Sequence, residues 1–156
     1  MNRIQILNTT IDNLSMQETL ALVQEKIHAG EQLHHVVVNA GKVVSMQKDS
    51  ELRQSVNQSD IINADGQAVV WASRFLLKPL KERVAGIDLM ANLVEMAHKN
   101  NYKIFLFGAK EDVVKTVVEK YSEIYSPNII AGYRNGYFSS SEEKEIAQQI
   151  ADSGTQ

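Results

Sequence analysis

The apolar positions of this chain form short strand-like runs that alternate with longer stretches of helical spacing. The runs at 35–39, 61–63 and 103–107 are rich in Val, Ile and Phe, and each leads into a polar or glycine turn. They predict buried strands. Strands that alternate with helices predict an α/β fold, in which a largely parallel sheet contains these three strands and carries helices on both faces. The alternating opening RIQILNTTIDNL adds a short N-terminal β element.

The helical stretches carry recognisable ends and faces, which completes a Rossmann-like pattern. Ser15 and Glu18 have the spacing of a capping box, and Gly30 ends the helix that they begin. Trp71 and Phe75 lie four residues apart on a predicted helix, and we expect them to fill the core. Four valines of the helix after the third strand are predicted to face inward: Val113, Val114, Val117 and Val118.

Composition describes an ordinary globular protein. A length of 156 residues, with 44% hydrophobic and 22% charged residues, predicts a single domain over residues 1–156. Sixteen basic and nineteen acidic side chains give a net charge of −3, so no overall basic field favours nucleic acid as a partner. The absence of cysteine excludes disulfides and thiolate metal sites. The N-terminus has no signal-peptide core and no apolar segment has bilayer-spanning length, so we expect a cytoplasmic protein.

Two polar residues follow predicted buried strands. Asn39 ends the run at 35–39, and Asp65 comes shortly after the run at 61–63. Ligands of parallel α/β sheets bind beyond the carboxyl ends of the strands, so the two side chains could share one pocket. The alternative is structural: Asp65 caps the next helix and Asn39 closes a turn. Spacing alone leaves both readings open.

The turn FGAKED at 107–112 is a candidate phosphate-binding turn. Gly108 permits close backbone approach, and the N-terminus of the next helix offers free N–H groups to an anion, so Gly108 and Ala109 are candidate substrate-binding residues. The turn lacks a full G-x-G-x-x-G or Walker pattern. A plain packing turn, with Glu111 and Asp112 satisfying the helix end, remains the alternative.

Other candidates have equally plain alternatives. Arg83 could hold a phosphate in bidentate fashion or form an ordinary surface ion pair. His34 and His35 are adjacent, so on a strand they face opposite sides, and we predict no metal site. The loop GYRNGYF could grip a sugar or nucleotide, or be a hairpin-like turn. Its candidate contacts are Tyr133, Arg134, Asn135 and Tyr137.

The motifs together are more specific than any one alone. The segments VVVNAGKVVSMQKD, SDIINADGQAVVWASRF, KPLKERVAGIDLM, IFLFGAKEDVV and NGYFSSSEE occur in this order over nearly the whole chain. The chain thereby resembles the WecG/TagA/CpsF family of bacterial glycosyltransferases, glycosyltransferase family 26. The resemblance implies transfer of N-acetylmannosamine or a related sugar from a UDP-sugar to a polyprenyl-diphosphate-linked acceptor, in the synthesis of teichoic acid or another cell-surface polysaccharide.

The resemblance also implies roles for individual residues. Asp65 matches the carboxylate proposed as general base, Asn39 matches the polar residue of the first active loop, and Arg83 matches the arginine thought to assist with the diphosphate. No cofactor is implied. Because the sequence has no Asp-x-Asp metal motif, Arg83 and backbone N–H groups would meet the leaving-group charge.

The chain departs from the family pattern in three places. Val37 stands where many members have threonine, and Gly41 stands where many have an acid. Members also continue past the position of Gln156, with further elements and an appendage that contacts the membrane, so we expect a truncated form. Peripheral membrane contact at the inner face is implied for the full-length family, and a homo-oligomer is compatible with it. The alternative function is a nucleotide-sugar-binding module, or a fragment, without turnover.

Overall fold

The structure, a computed structural model, describes residues 3–156 and contains six strands and seven α-helices in that part of the chain. The strands are β1 (Arg3–Ile6), β2 (Thr9–Asp12), β3 (His35–Val38), β4 (Ile61–Ala64), β5 (Ile104–Phe107) and β6 (Ile130–Arg134). The helices are α1 (Met16–Ala29), α2 (Ala40–Lys48), α3 (Ser50–Asn57), α4 (Gln67–Phe75), α5 (Gly86–Asn100), α6 (Glu111–Ile124) and α7 (Glu143–Asp152).

Strand pairing confirms the α/β class and differs from the expected sheet. β1 and β2 form an antiparallel hairpin, whereas β3 pairs with β4 and β5 pairs with β6, both in parallel. We expected β3, β4 and β5 to share one sheet, but the ladder hydrogen bonds form three separate two-stranded sheets. Hydrophobic patterning identifies strands without specifying their partners, which is why this part of the prediction is wrong.

Contacts divide the chain into two compact units, Met1–Ala91 and Asn92–Gln156. Each unit contains one parallel β-α-β arrangement: β3-α2-α3-β4 in the first and β5-α6-β6 in the second. The boundary between the units falls inside α5. The expectation of a single domain over residues 1–156 stays a prediction.

The first unit is organised around an apolar cluster beneath β2, β3 and β4. Ile11, Val38, Met46 and Ile62 are fully buried there. Asp12 is also buried, and its carboxylate accepts hydrogen bonds from Arg3 Nε and from the Ile62 backbone N–H, each at 2.9 Å. The buried charge therefore joins the N-terminal hairpin to β4.

In the second unit, a neighbouring aromatic side chain crowds the position of Gly132. Phe105 pairs with Gly132 across β5 and β6, next to an irregularity in register. A Cβ atom at Gly132 would lie 2.6 Å from Phe105 Cε2, which is too close for any side chain. The Phe105 ring therefore occupies the space that a side chain at Gly132 would need.

Helix ends were predicted better than helix faces. The capping box is confirmed, because Ser15 Oγ accepts from the Glu18 N–H at 3.2 Å and Glu18 accepts from the Ser15 N–H at 2.8 Å. Three side chains expected to lie inside are exposed instead: Trp71 by 63%, Phe75 by 87% and Val113 by 45%. In α4 the buried face consists of Val69, Val70 and Ser73, so helical spacing was correct but the buried face was misassigned. No helix within residues 3–156 combines the length and apolarity needed to cross a bilayer.

Candidate functional site

Asn39 and Asp65 lie at the same carboxyl edge of the β3–β4 pair. Val38 and Ala64 are register partners at the strand ends, and the Asp65 N–H continues the ladder by donating to the Val38 carbonyl at 2.8 Å. A Cβ atom at Gly66 would lie 3.4 Å from Asn39 Cβ, so the two turns touch. The parallel strands thus bring together residues that are 26 positions apart in sequence.

The Asp65 carboxylate lies beside the first residue of α5. A Cβ atom at Gly86 would be 3.6 Å from Asp65 Oδ2 and 3.4 Å from Val37 Cγ2. The N-terminus of a helix carries partial positive charge on its free N–H groups, so α5 begins where a negative group is favourable. The carboxylate and the start of α5 together make one side of the candidate site.

Asp65 does not have the structural role that was its alternative. The N-cap of α4 is Gly66, and no side chain caps this helix. The carboxylate is half-buried, and within residues 3–156 it has no hydrogen-bond or ion-pair partner. A carboxylate that is positioned by the backbone and has no partner in the fold is free to accept a proton from a ligand.

Asn39 has a structural role, although as a helix cap and not as the turn-closing residue of the alternative, and the NH₂ group of its amide is not used for it. Asn39 is the N-cap of α2, and its Oδ1 accepts from the Lys42 N–H at 2.9 Å. Its Nδ2 group makes no hydrogen bond with the part of the chain that the structure describes, and the residue is exposed. The cap fixes the side chain while leaving an N–H donor at the strand edge.

Arg83 lies near the same edge because the next residue, Val84, is hydrogen-bonded to the end of β4. The Val84 N–H donates to the Ala64 carbonyl at 2.9 Å, which places Arg83 one residue from the end of β4. Its guanidinium forms an ion pair with Asp88 at 3.5 Å, with both side chains about half exposed. Exposed pairs of this kind contribute little to stability, so the guanidinium can exchange Asp88 for an anionic ligand at small cost.

Gly108 and Ala109 form a tight turn in the second unit. Both have positive φ, 136° and 58°. The Gly108 N–H donates to the Arg134 carbonyl at 3.0 Å, and the Gly136 N–H donates to the Ala109 carbonyl at 2.9 Å. The Gly108 N–H is therefore already occupied, and the anion donors at this turn include the first N–H groups of α6, whose N-cap Lys110 makes no side-chain cap.

The aromatic loop uses its polar residues within the second unit. Arg134 bonds Glu142 at 3.0 Å, and Asn135 donates to Glu111 at 3.0 Å. The Asn135 hydrogen bond, with a further one from Lys115, lowers the pKa of Glu111. Tyr137 is 71% exposed. Arg134 and Asn135 therefore stabilise the turn, and Tyr137 and Phe138 are the aromatic side chains of this loop that are exposed to solvent.

Lys42 is a residue of the site that the sequence interpretation missed. Its ammonium donates to the Val37 carbonyl at 2.9 Å, and its backbone N–H is the group capped by Asn39. The available signal was its position three residues after the predicted cap, which is where an N-cap side chain finds its N–H donor. Lys42 thereby brings a half-buried positive charge to the end of β3.

A cavity lies apart from this edge. A wide-mouthed cavity of about 410 Å³ is lined by His34, Glu51, Gln54, Ser55 and Gln58. His34 precedes β3, so this cavity belongs to the amino ends of the strands. Within residues 3–156 no group of three or more His, Cys, Asp or Glu side chains is arranged to hold a metal ion.

Comparison with known families identifies one whose pattern extends over nearly the whole chain. The model of the glycosyl transferase WecG/TagA/CpsF family matches residues 4–156. The chain belongs to this family. The predicted family is therefore confirmed, and the match covers the β3–β4 edge and the α6 turn alike.

Curated proteins from two bacterial species are similar to this chain. The chain is 43% identical over 105 residues to the N-acetylglucosaminyldiphosphoundecaprenol N-acetyl-beta-D-mannosaminyltransferase of Bacillus subtilis (strain 168), covering 67% of this chain and 40% of that protein. It is 31% identical over 146 residues to the protein of the same name from Staphylococcus aureus (strain NCTC 8325 / PS 47), covering 92% of this chain and 57% of that protein. The chain thus spans about half the length of these relatives.

Proposed function

We propose that this chain carries the catalytic edge of a glycosyltransferase that moves N-acetylmannosamine, or a related sugar, from a UDP-sugar to an N-acetylglucosamine acceptor linked to undecaprenyl diphosphate. The observation that carries the proposal is the Asp65 carboxylate, which is half-buried, has no partner within residues 3–156 and lies beside the N-terminus of α5. Family membership and the names of the relatives supply the reaction class.

Asp65 acts as the general base. Its carboxylate takes the proton from an acceptor sugar hydroxyl while the hydroxyl oxygen forms a bond to the anomeric carbon of the donor sugar. The bond between that carbon and the UDP oxygen breaks, and UDP leaves from the opposite face with the electron pair. The transfer is thus a single displacement at the anomeric carbon, without a covalent enzyme intermediate.

The charge of the departing diphosphate needs donors and cations. Arg83 supplies a guanidinium whose partner is the exposed Asp88 carboxylate, and Asn39 supplies an Nδ2 donor that is unused within residues 3–156. The N-terminus of α5 adds N–H groups at the same edge. Gly108 and Ala109 remain candidate substrate contacts through the turn that leads into α6.

The acceptor determines where the reaction takes place. An undecaprenyl-diphosphate acceptor is held in a membrane, so we propose that the protein works at the inner face of the cytoplasmic membrane as a peripheral protein. A homo-oligomer is compatible with this proposal. Its synthetic role is the attachment of one sugar in a teichoic acid or a related surface polysaccharide.

The test combines binding and transfer. Isothermal titration calorimetry with UDP should show saturable binding to the 156-residue chain. UDP-N-acetylmannosamine and a soluble N-acetylglucosaminyl lipid-diphosphate analogue should yield a disaccharide product, with the chain alone or with a chimera in which residues 1–156 replace the matching part of the Staphylococcus aureus relative. UDP binding without product in both proteins would contradict the transferase proposal and indicate a binding module.

A further inference from the structure

The end of α4 presents a ridge of apolar side chains to solvent. Trp71 is 63% exposed, Phe75 87% and Leu77 89%. These three residues, with the cations Arg74 and Lys78, are called the α4 ridge. Large apolar side chains are common on protein surfaces singly, but a contiguous exposed group of them marks an interaction surface.

Leu77 has a left-handed backbone conformation, which is usually adopted by glycine. Its φ is 56°, and the Lys78 N–H donates to the Ser73 carbonyl at 2.9 Å, which is the pattern of a Schellman helix end. Glycine is favoured at this position because it has no Cβ to clash. Leu77 gains no burial in return, so its presence contributes nothing to the stability of the chain alone.

The ridge is positively charged. Residues 66–81 contain no Asp or Glu and three cations: Arg74, Lys78 and Lys81. Lys81 bonds Glu18, and this contact together with hydrogen bonds from Ser15 lowers the pKa of that carboxyl to about 2. Arg74 and Lys78 have no ion-pair partner within the part of the chain that the structure describes. The ridge therefore combines an aromatic and aliphatic crest with two unneutralised positive charges.

We propose that the α4 ridge docks on the surface of an anionic phospholipid bilayer. Trp71, Phe75 and Leu77 enter the boundary between head groups and acyl chains, where amphipathic helices place their apolar side chains and where tryptophan is favoured. Arg74 and Lys78 meet the lipid phosphates. A bilayer is deformable, so it accommodates side chains that project from the protein instead of lining a groove.

A second copy of the chain fits the ridge less well. Symmetric packing of two ridges would bring Arg74 and Lys78 of both copies together, and residues 66–81 offer no carboxylate to balance them. An anionic surface complements the same charges. The net charge of the whole chain is −3, so attraction to such a surface must come from a local cluster of cations.

The test uses lipid alone and therefore does not depend on the proposed transfer reaction. The chain is mixed with vesicles of phosphatidylcholine containing phosphatidylglycerol, or of phosphatidylcholine only, and binding is measured by flotation. Trp71 is the single tryptophan, so its emission reports directly on the ridge. We expect flotation and a blue shift with the anionic vesicles, and a loss of both as salt is raised.

Matched variants distinguish binding through the α4 ridge from nonspecific binding to vesicles. Phe75→Ser should lower the vesicle partition coefficient on the order of tenfold, whereas Ile124→Ser, at an apolar residue that is 68% exposed on α6, should not change it. Arg74→Gln with Lys78→Gln should lower it about thirtyfold. Lys120→Gln with Lys144→Gln removes the same net charge from exposed sites elsewhere and should have little effect.

Leu77→Gly tests whether weaker vesicle binding could be caused by unfolding of a variant. This variant should keep or raise the urea midpoint, because glycine accepts the φ of 56°, and it should still bind vesicles several-fold more weakly. Absence of flotation and blue shift with anionic vesicles would overturn the proposal. So would equal binding by the ridge and control variants, or a blue shift that follows protein concentration in the absence of lipid, which would indicate self-association.

Discussion

His35 is part of a buried polar chain whose protonation should affect stability. Its Nε2–H donates to Asn63 Oδ1 at 2.8 Å, and Asn63 Nδ2 donates to Thr19 Oγ1 at 3.2 Å. Burial lowers the pKa of His35 below 6.5, the Asn63 hydrogen bond opposes that shift, and the charge of His34 adds to it. The folded state therefore favours the neutral ring.

Protonation of His35 should therefore lower the free energy of unfolding at acid pH. Because the folded pKa lies below the unfolded value of 6.5, the contribution of His35 to stability is complete above that pH and is lost as the pH falls through the folded pKa. Urea unfolding at pH 8 and pH 5 should show a larger drop for the wild type than for His35→Gln, whose amide can donate to Asn63 without titrating. Equal drops would show that His35 is not the group responsible.

Asp12 makes a second testable contribution at the scale of one residue. Asp12→Ala removes the acceptor of the Ile62 N–H and the partner of Arg3, both inside or at the edge of the core. The free energy of unfolding should fall by about 3 kcal/mol, since a buried donor and a charge lose their partner. Asp152→Ala, at an exposed carboxylate, is the control and should stay within about 0.5 kcal/mol of wild type. A similar small change for Asp12→Ala would refute its role as a buried link.

At the scale of the element, α2 joins capping to binding through Asn39. Asn39→Ala should lower the free energy of unfolding by about 1 kcal/mol, because the Lys42 N–H loses its acceptor. Asn39→Asp retains a capping oxygen and should preserve stability. It replaces the free Nδ2 donor by negative charge, so UDP affinity measured by calorimetry should fall about tenfold. Unchanged affinity in the aspartate variant would mean that Asn39 is a cap and no more.

Element placement was the part of the site that sequence could supply. Asn39 and Asp65 each follow a β-branched run, and parallel strands end at a common edge, so their proximity follows from local pattern and one rule of topology. The capping box at Ser15 was equally local, because both of its partners lie within one helical turn. The proximity of Gly86 to Asp65 could not be predicted from sequence, because the loop between the two segments has no regular pattern of apolar residues.

At the scale of the molecule, sequence pattern was less informative. Trp71 and Phe75 have helical spacing, and that spacing is the same whether a face is covered by the core or open to solvent. The pairing of the strands could not be predicted either, because the sequence of an apolar run such as 35–38 or 104–107 does not specify which strand it pairs with. The same limit applied to Lys42, whose long side chain bonds a carbonyl on β3.

In the proposed reaction, Asp65 is the general base of sugar transfer. The most direct measurement is turnover of the soluble lipid-diphosphate acceptor analogue by the chimera that carries residues 1–156, with and without Asp65→Asn. The amide preserves size and polarity but cannot take the acceptor proton, so UDP affinity should be retained while turnover falls by roughly 10²- to 10⁴-fold. A folded Asp65→Asn variant with near-normal turnover would contradict the claim, and the base would have to be another group.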